Sequence, residues 1–359
     1  MQRIADDLKT FIIGLLWATL ALVTNSVCAA PQSTTQLPQK HLVLVQSMPV
    51  IPVLNHTKAF LYHLEEMGYV DGKNLTITLL QPNGDRARTR TMLEKVLNTQ
   101  PVDIVVTSAT MASQVCHELL LQNRSIPQIF FTVSDPVGAK IVPNLGRVDV
   151  QGITGKVHSA DRKTKIRVVL KILDRDNHNR PIRFGFIHTS YPSAKGDAAL
   201  LKEAAKAFDN VTFITREIPY RPIPAELPAL LVETHQYIIE LEDQVDYWWH
   251  PSGPLGERPE FLRQFRQHSS HTVAYGTNFE IVHMGALIHI TPSDDATGKE
   301  AAIMAFAILN GTSPNQFPIV PPKEIDLGLN IAAIRNLGFL PPSDLLELAG
   351  PNLFLDIHQ

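Results

Sequence analysis

The chain has 359 residues, 44% of them hydrophobic, which is enough for two domains of ordinary size, each with its own core. Its 32 Lys and Arg residues and 35 Asp and Glu residues give a net charge of −3, and the basic residues form no block. This charge distribution lacks the electrostatic footprint of a nucleic-acid-binding protein, so we expect no nucleic-acid partner.

Residues 1–30 have the pattern of a secretory signal peptide. Two basic residues precede an apolar core over residues 11–23, and small residues follow it. We therefore expect cleavage after Ala29 or Ala30 and a periplasmic mature protein. One alternative is an uncleaved membrane anchor, although the apolar core is short for a membrane span. The other is a lipid anchor on Cys28, although the residues before it are a poor processing motif.

From residue 41 onwards, strand-like and helix-like segments alternate, which predicts a parallel sheet with helices packed on it. Short apolar runs indicate the strands, and apolar residues at helical spacing indicate the helices. In this first round the predicted strands are 41–46, 74–80, 102–106, 129–133 and 150–154, and the predicted helices are 58–67, 86–98 and 111–121.

The stretch over residues 128–142 contains the first candidate site. Its apolar run stops abruptly at Ser134, Asp135 and Pro136, which is typical of an inner strand of a parallel sheet that ends in a shaped loop. Ligands of such sheets bind beyond the carboxyl ends of the strands. The alternative is that Ser134 and Asp135 only cap a following helix, with Pro136 at its first position.

The alternation then starts again, after a short polar segment over residues 155–160 that is typical of a hinge. This second round predicts helices at 161–173, 194–208 and 228–240, and strands at 182–188, 211–217 and 245–249. Segments 271–275, 285–290 and 324–329 and a helix over 295–309 must join the lobes already formed. We therefore expect an α/β fold of two doubly wound parallel-sheet lobes joined by a hinge. The predicted lobes are residues 41–156 with 285–312, and residues 157–284 with 313–350.

Six motifs, read in order, resemble one known family. They are GYVDGKNL at 68–75, VDIVVTSATMA at 102–112, FFTVSDPVGAKIV at 130–142, VDYWWHP at 245–251, GALIHITPSDDATGKEAA at 285–302 and LNIAAIRNLGFLPPSDLLELA at 329–349. The chain resembles the ABC transporter substrate-binding proteins with a type I periplasmic-binding fold, whose better understood members include tryptophan-binding lipoproteins.

The resemblance implies two lobes that close around a small solute, which the protein delivers to an ABC permease in the inner membrane. It implies a monomer without cofactor or enzymatic activity, and an amino-acid-like, aromatic or flat solute. A periplasmic receptor that reports its ligand to a membrane sensor protein is the alternative. A less favoured alternative is a periplasmic hydrolase or metal-binding protein.

The resemblance also places the carboxyl ends of several strands at the cleft. We expect the residues before the helix at 111–121 to receive a carboxylate or another anionic group, or alternatively only to cap that helix. Trp249 is expected to offer a stacking face, or alternatively to pack in the core. The predicted ligand-binding residues are Gln46, Thr107, Ser108, Thr110, Ser134, Asp135, His188, Trp249, Ser252 and His289.

The sequence departs from the family at the expected cleft. The family commonly has Gly at the position of Ala109, Asp at that of Gly253 and often Tyr at that of Ile290. An Asp in the cleft would suit an amino group, so its loss puts a plain α-amino acid ligand in doubt.

Enzyme motifs are missing from the sequence. It has no His-Glu-x-x-His, no Gly-x-Ser-x-Gly, no zinc-binding Cys pair and no phosphate-loop lysine motif. His188, His250 and His289 could in principle meet at the cleft around a metal, but they lie far apart in the sequence. We therefore expect a binding protein without a metal site.

Overall fold

A computed structural model describes residues 37–121, 125–146, 152–173 and 181–358. The predicted signal peptide and its cleavage site lie outside these residues. The described residues from Gln39 onwards form one compact unit. Among the helices of the described ranges, none combines the length and the apolar content needed to cross a membrane.

The first sheet has five parallel strands in the order β2-β1-β3-β4-β5. These strands are β1 (Lys40–Gln46), β2 (Leu75–Leu80), β3 (Ile104–Ser108), β4 (Gln128–Val133) and β5 (Ile153–Val157). β3 is completely buried and β4 almost so, because helices cover both faces of the sheet. β4 lies between β3 and β5, so the prediction of an inner strand before Ser134 is confirmed.

Three helices connect the strands of the first sheet. They are α1 (Ile51–Glu66), α2 (Arg86–Thr99) and α3 (Thr110–Leu120). α1 begins before its predicted start because Pro52 occupies its first turn, where a missing N–H costs nothing. Asp85 caps α2 by accepting a hydrogen bond from the N–H of Arg88.

The second sheet has seven strands in the order β12-β11-β10-β9-β8-β6-β7. They are β6 (Ile182–Thr189), β7 (Val211–Ile218), β8 (Tyr247–Trp249), β9 (Val273–Tyr275), β10 (Ile288–Pro292), β11 (Ile325–Asn330) and β12 (Leu353–Phe354). All paired strands run parallel except β10 and β11, which are antiparallel. The second sheet is therefore parallel at every pair but this one.

Eight further helices complete the described chain. They are α4 (Arg162–Leu173), α5 (Pro192–Ala205), α6 (Leu227–Leu241), α7 (Pro259–His268), α8 (Phe279–His283), α9 (Asp294–Leu309), α10 (Ile331–Asn336) and α11 (Ser343–Ala349). Separate apolar clusters lie on the two faces of the second sheet, with Trp249 in one and Trp248 in the other. Successive side chains of a strand point to opposite faces of its sheet, which separates these two rings.

The segment over residues 285–312 is divided between the two sheets. Its strand β10 pairs with β9 and β11 in the second sheet. Its helix α9 packs against α1 and β4 of the first sheet. The two helices approach closely at Gly298, where a Cβ atom would lie only 2.4 Å from the Cβ of Ala59. The chain therefore crosses between the sheets at the start of α9.

Candidate functional site

A cavity lies between the two sheets, at the carboxyl ends of strands from both. The cavity has a volume of about 70 Å³, which is smaller than the roughly 300–1,000 Å³ that is usual for small-molecule sites. We call it the interlobe cavity. Its polar lining residues are Thr110, Thr132, Ser134, His158, Ser159, Lys165, Tyr191, Ser193, Ser252, Glu257, Tyr275, Thr277, His289 and Thr291.

On the first-sheet wall, α3 points its N-terminus at the interlobe cavity. Thr110 is buried there, and its hydroxyl has no hydrogen-bond partner among the described residues. The preceding residue, Ala109, has φ 76° and ψ 158°, a region that residues other than Gly rarely adopt. A free hydroxyl beside the positive end of a helix dipole suits a negatively charged ligand group.

A polar network behind this wall holds Thr132 in place. Thr132 has φ 58°, and its hydroxyl lies 3.1 Å from the Ser108 hydroxyl and 2.8 Å from Nδ1 of His56. The other ring nitrogen of His56 lies 2.8 Å from a carboxylate oxygen of Asp294. Burial raises the pKa of Asp294, but its contacts with His56 and the hydrogen bond from Asn55 are among the causes that outweigh it, and the net pKa is lowered. The network thus links α1, β4 and α9 directly beneath the cavity.

On the second-sheet wall, Lys165 lies over the ring of Tyr275. Its Nζ atom is 5.2 Å from the ring centroid, and the side chain is buried. Trp249 stacks on the same ring, with centroids 4.4 Å apart and an interplanar angle of 13°. Because Trp249 covers one face of Tyr275, Lys165 takes the other. Burial lowers the pKa of the Lys165 ammonium to about 8.

Two carboxyl groups belong to the same wall and differ in environment. Burial raises the pKa of Asp197, but the positive charges of Arg162, 3.1 Å away, and Lys165, together with hydrogen bonds from Ser252, outweigh it and leave the pKa lowered. The other carboxylate oxygen of Asp197 accepts a hydrogen bond from the Ser252 hydroxyl at 2.9 Å. Glu257 accepts a hydrogen bond from Asn278 at 2.7 Å, and burial raises its pKa to about 8. Asp197 is therefore ionised, and Glu257 is held largely protonated at neutral pH.

The three histidines proposed as an alternative metal site lie in separate environments. His289 lines the interlobe cavity and contacts the Gly276 carbonyl oxygen at 2.9 Å. His250 is enclosed by two phenylalanine rings, and His188 contacts the carbonyl oxygen of Thr189. Burial lowers the pKa of both His250 and His289 to about 3, so both are neutral. In the described ranges no group of three metal-ligating side chains is found.

Of the ten predicted ligand-binding residues, four line the interlobe cavity: Thr110, Ser134, Ser252 and His289. The other six do not, because their polar groups face inward or toward neighbouring backbone: Gln46, Thr107, Ser108, Asp135, His188 and Trp249.

The surroundings of these six residues explain their positions. Thr107 contacts the Ser113 hydroxyl within the core, Ser108 belongs to the network behind the wall, and Gln46 is bonded to Gln81.

Asp135 accepts a hydrogen bond from the Gly138 N–H at 2.9 Å, so it caps a turn rather than a helix. Trp249 is buried among Phe184, Phe213 and Tyr275, where its alternative interpretation had put it. The part that Trp249 plays in binding stays a prediction.

Lys165, Glu257 and Tyr275 are the main lining residues that the sequence analysis missed. Tyr275 ends strand β9 before a Gly-Thr pair, a signal that could have placed it at the carboxyl edge of the sheet. Lys165 lies in the highly basic first turn of α4, which is typical of a solvated helix face. Glu257 lies in a loop without a strand signal. For these two residues the sequence carries no pattern that marks a cavity.

Gly253 occupies the position at which the family commonly has Asp, and its backbone conformation disfavours a side chain there. Gly253 lines the cavity with φ 117°, and a Cβ atom would lie 3.0 Å from the Ser193 hydroxyl. A side chain is strained in this conformation. Glu257 is the nearby carboxyl group that faces the cavity instead.

Comparison with known proteins agrees with this geometry. The model of a family described as ABC transporter substrate binding protein matches residues 52–173. This match confirms the resemblance to ABC transporter substrate-binding proteins. A curated relative, the tyrosine-binding protein of Clostridioides difficile strain R20291, is 22% identical over 90% of this chain and 86% of its own length.

Solved structures show the fold. The ABC domain of a Streptococcus pneumonia protein in complex with L-Trp has a TM-score of 0.73 and 20% identity, over 88% of this chain and 100% of its own. A conserved domain protein from Vibrio cholerae has a TM-score of 0.72 and 20% identity, over 87% of this chain and 99% of its own. The predicted type I periplasmic-binding fold with two lobes is confirmed. Proteins of this family bind solutes outside the cytoplasm and are generally not enzymes.

Proposed function

We propose that this protein is a periplasmic solute-binding protein, which captures a small solute in the interlobe cavity and delivers it to an ABC permease as a monomer. The observation that carries the proposal is a cavity lined by polar groups from both sheets, at the carboxyl ends of their strands. Ligands of α/β sheets bind at this edge. The relatives named above bind tyrosine and tryptophan, which supports an amino-acid-like solute.

Within this proposal, both walls supply hydrogen-bonding groups. Thr110 and Ser134 act from the first lobe, and Ser252 and His289 act from the second. His289 is neutral and contacts a carbonyl oxygen through Nδ1, which leaves Nε2 available to a ligand. Both faces of the Tyr275 ring are covered, one by Trp249 and the other by Lys165. Polar recognition therefore dominates over stacking at this wall.

Direct contacts across the cavity support closure by hinge motion. The Tyr220 hydroxyl donates a hydrogen bond to the Gly84 carbonyl oxygen at 3.1 Å. The backbone N–H of Met111 donates to the Tyr191 hydroxyl at 3.4 Å, and these two side chains share an apolar cluster. Both contacts join residues of the first lobe to residues of the second, so they must break when the lobes separate. The described conformation is accordingly a closed one.

Native mass spectrometry of the protein purified from periplasm tests the proposal, followed by release and identification of the bound compound. Small-angle scattering is then recorded before and after the identified compound is added back to stripped protein. We expect a smaller radius of gyration and a higher melting temperature on binding, because the ligand favours the closed state. No compound bound and no change with any candidate solute would contradict solute capture.

The proposed location has its own test. Sequencing the N-terminus of the mature protein should show a start at Ala30 or close to it. A mature chain that begins with a lipidated Cys28 would show a membrane-anchored protein instead.

A further inference from the structure

The interlobe cavity contains a lysine, Lys165, that forms no ion pair with any described residue. Across the described residues, no carboxylate lies within 4.0 Å of Lys165 Nζ, and no acceptor takes a hydrogen bond from it. Only 5% of the residue is exposed, and its contact is the ring face of Tyr275. An ammonium group out of water is costly unless it is paired. An aromatic face compensates only part of this cost.

The carboxyl groups near Lys165 act on it without pairing with it. They belong to Asp197, Glu257 and Asp161. Both oxygens of Asp197 are already engaged, one by Arg162 and the other by Ser252. Glu257, the other carboxyl group on this wall, accepts a hydrogen bond from Asn278. Among the described residues, the Lys165 ammonium is therefore left without a directly paired carboxylate.

We infer that Lys165 is the specificity-determining residue of the cavity and that it pairs with an acidic group of the solute, a carboxylate or a phosphate. This inference rests on the proposed solute-binding function and adds a requirement to it. The acidic group would pair directly with the Lys165 ammonium. A solute without such a group would leave this buried cation unpaired. Solutes that lack an acidic group at this position are rejected for the same reason.

The opposite wall supplies a second anion-accepting position. The free Thr110 hydroxyl lies at the N-terminus of α3, across the cavity from Lys165. A solute with acidic groups at both ends would thus connect the two lobes and favour closure. Glu257, as a neutral acid, can donate a hydrogen bond to the same solute.

The test uses the full mature protein stripped of bound compounds, and matched pairs of solutes. Two pairs have a carboxylate against its amide, L-glutamate with L-glutamine and succinate with succinamide. One pair has a phosphate against its parent alcohol, glycerol 3-phosphate with glycerol. Calorimetry and thermal melts are recorded for wild type, Lys165→Met and Lys165→Arg. We expect at least one acid to bind wild type at least tenfold more tightly than its neutral partner.

The variants should separate charge from shape. Lys165→Met should lose at least tenfold in affinity for that acid, whereas Lys165→Arg should keep most of it. The pair that responds distinguishes a carboxylate from a phosphate. Without any solute, Lys165→Met should melt at a higher temperature than wild type, because it removes an unpaired buried charge. This second measurement requires no ligand.

Three results would overturn the inference. These are equal binding of acids and their neutral partners, unchanged acid affinity in Lys165→Met, and a ligand-free Lys165→Met that melts below wild type because the ammonium already has a partner. Binding only of neutral or cationic solutes would also overturn it while solute capture itself stands. If no solute of any class alters melting or scattering, the proposed function fails as well.

Discussion

Replacing Trp249 with Ala tests whether this residue belongs to the core or to the binding surface. The side chain is 1% exposed, and it contacts Phe184 and Phe213 edge-on and Tyr275 face-on. A fully buried Trp removes about 150–250 Å² from water, which at about 25 cal/mol per Å² corresponds to about 4–6 kcal/mol. Partial collapse of the site lowers this value, so we expect a loss of about 3–5 kcal/mol in the free energy of unfolding.

The assay is urea denaturation followed by circular dichroism, with all variants compared at equal m-values. Trp249→Phe should cost less than Trp249→Ala, because it keeps a ring against Tyr275 and removes an indole N–H that has no partner among the described residues. Tyr62→Ala is the surface control, since Tyr62 is 57% exposed, and it should cost about 0.5 kcal/mol or less. A loss below about 1 kcal/mol for Trp249→Ala, with weakened solute binding, would refute the assignment to the core.

Three further predictions follow from individual contacts. Between pH 4.5 and 8 the folded chain keeps the Glu257 proton that the unfolded chain loses, so the contribution of Glu257 to the free energy of unfolding falls as pH rises. The buried neutral His250 and His289 contribute in the opposite direction below about pH 6.5. The test is therefore the difference between wild type and Glu257→Gln in denaturant melts, and parallel pH profiles would contradict it. Ala109→Gly should stabilise the protein by about 1 kcal/mol in the same melts, because it relieves the φ of 76°, whereas a loss of stability would contradict strain there. Tyr220→Phe keeps the ring contact with Tyr191 but removes the bond to Gly84, so the ligand-free protein should show a larger radius of gyration, and identical scattering would show that this bond does not hold the lobes closed.

Local patterns in the sequence were sufficient for most of the fold. The strand before Ser134, the helix at Arg86–Thr99 and the strand at Ile182–Thr189 were predicted to within a few residues, because periodicity and turn residues act within one element. Four helices of the second lobe were not predicted. Three of them have seven residues or fewer, and a short helix shows too few turns for a periodic pattern.

Long-range pairing decided the rest of the fold. The segment over residues 285–312 has an apolar run followed by a helix, and nothing local indicates that the two belong to different sheets. The run joins the second sheet because β10 pairs with β9 and β11. The helix packs on the first sheet because Gly298 allows a close approach to α1.

The sequence by itself determined which strand ends carry polar residues, and so four of the ten predicted residues line the interlobe cavity. Only the tertiary structure decided which of those side chains face the cavity and which other residues join them. Lys165 and Glu257 come from a helix and a loop that are distant in the sequence, and their burial depends on the surfaces that pack around them. From its neighbours in the sequence, a charged residue is predicted to be solvent-exposed. Whether it is buried depends on atoms that only folding brings into contact with it.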